Sequence, residues 1–259
     1  MALPEGRTDS GRIGSARLTN RIILVTGASR GIGRAAALAL AEAGAHVVAV
    51  ARTVGGLEEL DDAIHATGGA ATLVPLDLKD FAGIDRLGGA IHERWGKLDG
   101  LFANAGLLGA ITPLAHLEPK VWDDVMAVNV TANWRLIRSL DPLLRQSDAG
   151  RALFMTSAIT RSCQPYWGVY AASKAALDAL VRTWAGEVAQ TTVRANLIAP
   201  GPLRTAMRAQ AMPGEDPKTL KPPEALAPDI VRMLSPDYAE NGAMFDFPSG
   251  KTTYAGSLG

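Results

Sequence analysis

Short apolar runs alternate with longer stretches of helical periodicity along most of the chain. Ile22–Val25 precedes a helical stretch over Arg34–Ala43, His46–Val50 precedes Leu57–Ala66, and Ala71–Pro75 precedes a helix near Ile84–Trp95. The alternation continues through Leu98–Ala103, a long helix over Val121–Leu144, Ala152–Thr156, a helix over Val169–Ala189, and Val193–Ile198. Strands that are apolar on both faces, each followed by a helix, imply a parallel sheet covered on both sides. The pattern therefore predicts one α/β domain with a doubly wound parallel sheet, spanning about 20–250. Residues 1–19 are rich in Gly, Ser, Arg and Thr without periodicity and read as a flexible leader, with the ordered domain starting at Arg21. Residues 251–259 read as a tail. Between 203 and 228 the rhythm breaks: five prolines lie between Pro213 and Pro228, as expected of a loop with short helical pieces over a pocket.

Composition narrows the partner. Lys plus Arg and Asp plus Glu each number 26, so the chain has no net charge with which to attract polyanions, and neither nucleic acid nor an acidic membrane surface is expected as a partner. A small molecule is. The lone Cys163 cannot form an internal disulfide, and it lacks a neighbour that favours the thiolate, so a reducing compartment and an unreactive thiol are expected. His46, His65, His92 and His116 show no metal-ligand spacing and read as structural or solvated; no metal is expected. With neither a signal-peptide core nor a run of about eighteen apolar residues, the expected location is the cytoplasm.

Directly after the first strand stands Thr26-Gly27-Ala28-Ser29-Arg30-Gly31-Ile32-Gly33, opening into an alanine-rich helix. Glycines let the backbone turn sharply and approach a pyrophosphate, and the free amides and dipole of the helix start attract negative charge. An ordinary tight strand-to-helix turn is the alternative, but the placement favours a nucleotide. No Gly-Lys-Ser/Thr follows, which disfavours an ATP-type loop. The end of the second strand reads Val50-Ala51-Arg52, without the carboxylate that chelates the ribose of NAD. Arg52 and Arg30 can instead meet a 2′-phosphate, so NADP(H) is expected over NAD(H), the alternative being that either arginine points to solvent.

Tyr170-Ala171-Ala172-Ser173-Lys174 places a phenol and an ammonium one helical turn apart on one face. A nearby ammonium favours the phenolate and moves the tyrosine pKa from about 10 toward the working range, which makes an acid/base. Ser157 stands thirteen residues upstream, at the end of the fifth strand.

The Thr-Gly-x-x-x-Gly-x-Gly turn together with Ser157 and Tyr-x-x-x-Lys resembles the short-chain dehydrogenase/reductase family, over roughly residues 20–247. The resemblance implies a Rossmann fold and hydride transfer between a nicotinamide cofactor and a carbonyl or alcohol. It further implies that Ser157 hydrogen-bonds the substrate oxygen, Tyr170 transfers the proton, and Lys174 binds the nicotinamide ribose and lowers the tyrosine pKa. Asn129, in Val128-Asn129-Val130, matches the residue that supports a water-mediated proton relay. Asp77-Leu78 matches the adenine-binding position, Asn104-Ala105-Gly106 the small-residue passage beside the cofactor, and Pro200-Gly201 with Thr205 the turn that meets the nicotinamide carboxamide. A homodimer or homotetramer is implied, built on the long helix and the one carrying Tyr170. The apolar residues of the long helix, including Trp122, Trp134 and Ile137, already extend beyond one face, as for a helix covered by its copy.

Ile159, Cys163, Tyr166 and Trp167 flank the reacting oxygen in sequence and are expected to face substrate. Leu107, Leu108, Leu203 and Met207 are expected as apolar walls, although ordinary core is the alternative for Trp167 and the leucines. Arg204 and Arg208 can bind an acidic substrate or form a solvated face. Two features depart from the family: Phe245-Asp246-Phe247-Pro248-Ser249-Gly250 replaces its usual Asp-Gly-Gly, and the lid is short. The function expected is an NADP(H)-dependent oxidoreductase interconverting a carbonyl and an alcohol. A dinucleotide-binding sensor or scaffold is the alternative from another class, and a nucleotide-sugar epimerase or dehydratase calls for a longer C-terminal region than this chain has.

Overall fold

The computed structural model describes residues 18–254. Eight strands form one sheet in the order β3-β2-β1-β4-β5-β6-β7-β8. The first half runs β1 (Ile22–Thr26), α1 (Gly31–Glu42), β2 (His46–Ala51), α2 (Val54–Ala66), β3 (Ala70–Pro75), α3 (Phe81–Trp95) and β4 (Gly100–Ala103). The second runs α4 (Pro119–Met126), α5 (Ala132–Leu144), β5 (Arg151–Met155), α6 (Ile159–Ser162), α7 (Gly168–Glu187), β6 (Arg194–Ala199), α8 (Ala206–Ala211), α9 (Ala227–Met233), β7 (Met244–Asp246) and β8 (Lys251–Thr253). Strands β1 to β7 are parallel and only β8 is antiparallel. Apolar side chains alternate to the two faces of the sheet, so Ile23, Val25, Val47 and Ala49 join one buried cluster while Leu24, Val48, Val50 and Leu101 join the other.

Strand order reverses between β1 and β4, which opens a crevice at the carboxyl ends of the strands. Close approach of helices depends on small residues at particular points. A Cβ on Gly88 of α3 would stand 2.3 Å from Ser139 Oγ of α5, whereas one on the neighbouring Gly89 would meet nothing within 4 Å. Asp80 caps α3 by accepting from Gly83 N at 2.9 Å, and Gly96 closes it with φ +71°.

Several boundaries differ from the sequence expectation. Leu18 is already fully buried and its N–H donates to Ala43 O at 3.1 Å, so the ordered domain begins before Arg21; residues 1–17 of the expected leader lie outside the described residues. Lys251–Thr253, expected in the tail, pair with β7, and 255–259 lie outside the described residues. The expected single helix over Val121–Leu144 contains a π-helical turn, Ala127–Thr131, whose wider hydrogen-bond register is invisible to a 3.6-residue periodicity. The lid is anchored at both ends, because Leu203 is buried and bridges to Lys221 while Leu226 is fully buried. No helix among the described residues is long and apolar enough to cross a membrane.

Candidate active site

A cavity of about 680 Å³ lies at the carboxyl ends of the strands. Its floor is the turn after β1. Gly27 takes φ +67° and Gly31 φ +56°, conformations that glycine adopts without a Cβ penalty. Asn104 holds this turn from β4: its Nδ2 donates to Thr26 O at 3.0 Å, and the Asn104 and Ala105 amides donate to Thr26 Oγ1 at 3.0 and 3.1 Å. Arg30 stands at the N-cap of α1 without a side-chain cap bond, and the first turn carries no acidic residue, so the helix start offers its amides and dipole to a ligand.

Of the residues expected to hold the cofactor, Gly27, Ser29, Arg30, Gly31, Ile32, Arg52, Asp77, Leu78, Asn104, Ala105, Gly106, Tyr170, Lys174, Pro200, Gly201 and Thr205 all line this cavity. Gly33 does not. It is buried behind the turn, where it lets α1 pack against Gly27. Arg34, which sequence reasoning passed over, also lines the cavity, and its signal was its position one helical turn after Arg30. Among the described residues, the guanidinium groups of Arg30, Arg34 and Arg52 have neither a hydrogen bond nor an ion pair with protein. Thr205 caps α8 by accepting from Arg208 N at 3.2 Å, as well as lining the cavity.

Ser157, Tyr170 and Lys174 line the same cavity, brought together by the end of β5 and the first turns of α7. Lys174 is buried and its Nζ donates to Met155 O at 2.6 Å. Burial brings the ammonium pKa down to about 8, the charge of Asp178 opposing it. Burial likewise pushes the Tyr170 hydroxyl up to about 12, with a hydrogen bond to Ser157 pulling the other way. Lys174 is not among the groups that shift it. The ammonium stands 5.8 Å from the Tyr170 ring centre and is spent on the Met155 carbonyl, so desolvation of the phenol dominates.

Asn129 does not line the cavity. Its side chain is fully engaged: Oδ1 accepts from Leu107 N at 2.8 Å, and Nδ2 lies 2.8 Å from Leu107 O and 2.9 Å from Ser173 Oγ. Its backbone carbonyl, within the π turn, accepts from Asn133 Nδ2 at 2.8 Å. A Cβ on Gly106 would stand 3.3 Å from Asn129 Oδ1 and 3.5 Å from Lys174 Nζ, so Asn129 packs directly behind the Gly106 stretch of the wall.

At the substrate side, Trp167, Leu107, Leu108, Leu203 and Met207 line the cavity as expected, and the Trp167 ring lies 6.1 Å from that of Tyr170. Ile159, Cys163 and Tyr166 do not. Ile159 is buried in the protein, while Cys163 and Tyr166 are exposed at positive φ, where the loop turns their side chains away. Arg208 lines the cavity but is held by Glu215 through bonds of 2.6 and 2.7 Å. Arg204 lines it too, with its backbone N–H donating to Lys221 O at 2.9 Å.

A family model described as short chain dehydrogenase matches residues 21–216. The chain belongs to the short chain dehydrogenase family. It is 41% identical over 238 residues to an uncharacterized oxidoreductase of Escherichia coli, YciK, covering 90% of this chain and 94% of that one. A crystal structure of a short chain dehydrogenase from Shigella flexneri complexed with NADP superposes with a TM-score of 0.87 at 40% identity, covering 90% of this chain and 99% of the other. An uncharacterized NAD-dependent oxidoreductase of Mycobacterium tuberculosis is 35% identical over 204 residues, covering 73% of this chain and 74% of its own length. The protein is thus an oxidoreductase of this family with its Rossmann fold.

Proposed function

We propose that the protein interconverts a carbonyl and an alcohol with NADP(H). The observation that carries the reading is the continuity of a single cavity from the glycine turn to Ser157, Tyr170 and Lys174. Residues present fit a dinucleotide: a glycine cradle, an uncapped helix start, and three guanidinium groups without protein partners beside the start of α1 and the end of β2. That cluster supports a 2′-phosphate, because the carboxylate that would chelate a free ribose is missing after β2. The NADP bound by the Shigella flexneri relative supports the same choice.

When bound, the nicotinamide supplies the hydride. The protein supplies the rest. Ser157 offers a hydroxyl to the substrate oxygen, and Tyr170, whose pKa burial pushes up to about 12, holds the proton that this oxygen takes in reduction. Lys174 fixes the wall beside them and carries the local positive charge. Trp167, Leu108 and Met207 exclude water and suit a ketone or aldehyde with an apolar flank. The exposed Trp122 and Trp134 of α4 and α5 support a homodimer or homotetramer built on this face.

Fluorescence titration with NADPH and NADH, followed by a carbonyl panel with the tighter cofactor, tests the reading. Tighter NADPH binding with turnover of a ketone or aldehyde is expected. Binding without turnover across the panel would favour a dinucleotide sensor, and equal or tighter NADH binding would overturn the cofactor choice.

A further inference from the structure

Two successive residues at the end of β5 are held by residues of α7, the next one lines the cavity with a third, and the three α7 residues are spaced four apart. Met155 O accepts from Lys174 Nζ and the Thr156 hydroxyl donates to the Asp178 carboxylate, while Ser157, next in sequence, lines the cavity together with Tyr170. Tyr170, Lys174 and Asp178 therefore form one column down a single helix face. Only Asp178 of the three has no part in the reaction described above.

Its surroundings are unusual for a carboxylate. Asp178 is buried between Leu177 and Val181 on the face that packs against the sheet, and Thr156 is 1% exposed. An apolar side chain would fill this space without the cost of burying a charge. The carboxylate instead accepts from the hydroxyl of Thr156, the residue before Ser157, while the Thr160 hydroxyl donates to Ser157 O at 3.1 Å. The charged groups acting on it are Lys174 and Arg182, both from α7. Lys174 in turn has no ion pair among the described residues.

We infer that Asp178 is a positioning residue of the reaction centre, seating Thr156 and with it the neighbouring Ser157, and holding the charge on Lys174. The inference rests on the catalytic reading given above for Ser157, Tyr170 and Lys174. A purely structural carboxylate and a positioning one differ in what its removal does. Burial raises the Asp178 pKa, so the charged form is a burden on the fold, and its loss leaves stability intact while harming function.

The test compares the full chain with Asp178→Asn, which keeps a hydrogen-bond acceptor but removes the charge, and Thr156→Val, which removes the hydroxyl donor but leaves the carboxyl group in place. Asp178→Asn is expected to unfold at or above the wild-type temperature, to lose about ten- to a hundredfold in kcat, and to keep KM and NADPH affinity within about threefold. Its alkaline fall in kcat/KM should move to lower pH. The titration midpoint of the Lys174 side chain, followed by NMR and assigned with Lys174→Arg, should fall with it. Thr156→Val should lower kcat and shift that midpoint less than Asp178→Asn does, and it serves in place of Asp178→Asn if the latter does not fold. Wild-type kcat together with a wild-type Lys174 midpoint in Asp178→Asn would overturn the inference. Tyr170→Phe is the separate control: if it turns over like wild type, the catalytic reading itself falls, and the Lys174 midpoint alone then decides whether Asp178 acts on the ammonium.

Discussion

A Cβ on Gly33 would stand 2.1 Å from the carbonyl oxygen of Gly27, a contact that backbone cannot relieve by rotating a side chain. The same Cβ would meet Asn104 Nδ2 at 2.6 Å, so it would strike the brace of the turn as well as the turn. Gly33→Ala must therefore push α1 away from β1. A loss of about 3 kcal/mol or more is expected, visible as a fall in Tm of roughly 6–12 °C, together with loss of NADPH binding. An unchanged Tm would show that the helix start can shift freely.

Gly88 and Gly89 offer a matched comparison within α3. Gly88→Ala drives a methyl into Ser139 Oγ and its backbone oxygen at 2.3 and 2.7 Å, and should cost about 1–3 kcal/mol by forcing α3 from α5. Gly89 is exposed, with open space where its Cβ would lie, so Gly89→Ala should stabilise by about 0.5–1 kcal/mol through helix propensity alone. Thermal unfolding of the two variants should move in opposite directions. Shifts of the same sign would contradict this packing.

Lys174 and Tyr170 set the pH dependence. The tyrosine stays protonated to about pH 12, so the ammonium, with its pKa near 8, is the first of the two to change as pH rises. For reduction, kcat/KM should be level below about pH 8 and fall above it, a limb that a titration of rate against pH will place. Tyr170→Phe should lower kcat by about a hundredfold or more while NADPH affinity stays within a few-fold. For stability the sign is opposite to that of activity. The folded pKa lies below the ordinary 10.5, so the folded state binds fewer protons between about 8 and 10.5, and this group's contribution to stability rises with pH across that window. Lys174→Met should accordingly be inactive yet unfold at or above the wild-type temperature at pH 7. A marked loss of stability would mean that the bond to Met155 outweighs the buried charge.

Much of the fold and of the site is legible in the sequence, and the exceptions share a cause. β1, β2 and β4 to β6 announce themselves as apolar runs because both faces of a central strand are buried, and the glycine turn and the Tyr170–Lys174 pair are local patterns. Leu18 is not legible, since an isolated leucine among Thr, Arg and Gly carries no periodicity, and its burial against Ala43 is a tertiary fact. The engagement of Asn129 with Leu107 and the elevated pKa of Tyr170 depend on which groups the fold brings near and how much water it removes. Cys163 and Tyr166 stand near Ser157 and Tyr170 in sequence, but positive φ at both carries them out of the cavity. Asp178 stands one turn beyond Lys174, yet a four-residue spacing does not reveal that a carboxylate faces the sheet.

Arg30, Arg34 and Arg52 should divide the two cofactors. Each charge-assisted bond to a 2′-phosphate is worth about 1.5–3 kcal/mol, so Arg34→Ala is expected to weaken NADPH by roughly ten- to a hundredfold and to leave NADH unchanged. Arg52→Asp should go further, removing a phosphate partner and adding a ribose acceptor, and so reverse the preference. Titrations with both cofactors decide it. Equal losses for NADPH and NADH would indicate that these residues support the turn rather than the phosphate.

The hairpin that replaces the family's usual C-terminal segment reaches back to the Pro200–Gly201 turn. Phe247 N donates to Ala199 O at 3.0 Å, and a Cβ on Gly201 would lie 2.3 Å from Pro248 Cγ, so the proline ring rests directly on the glycine. Beside it, Lys221 Nζ lies 5.1 Å from the Phe247 ring centre, and Lys221 is the residue that bridges Leu203 at the base of the lid. The hairpin thus braces both the turn that lines the cavity and the root of the lid. Gly201→Ala should be strongly destabilising, from the clash and from φ +64°. Pro248→Ala should cost little stability but weaken NADPH binding a few-fold by loosening the turn. In the double variant the clash is gone and only the φ strain remains, of about 1–2 kcal/mol, so its loss should fall well short of the sum of the single losses. Strict additivity in that cycle would mean that Pro248 and Gly201 do not bear on each other, and the hairpin would then lose its part in holding the site.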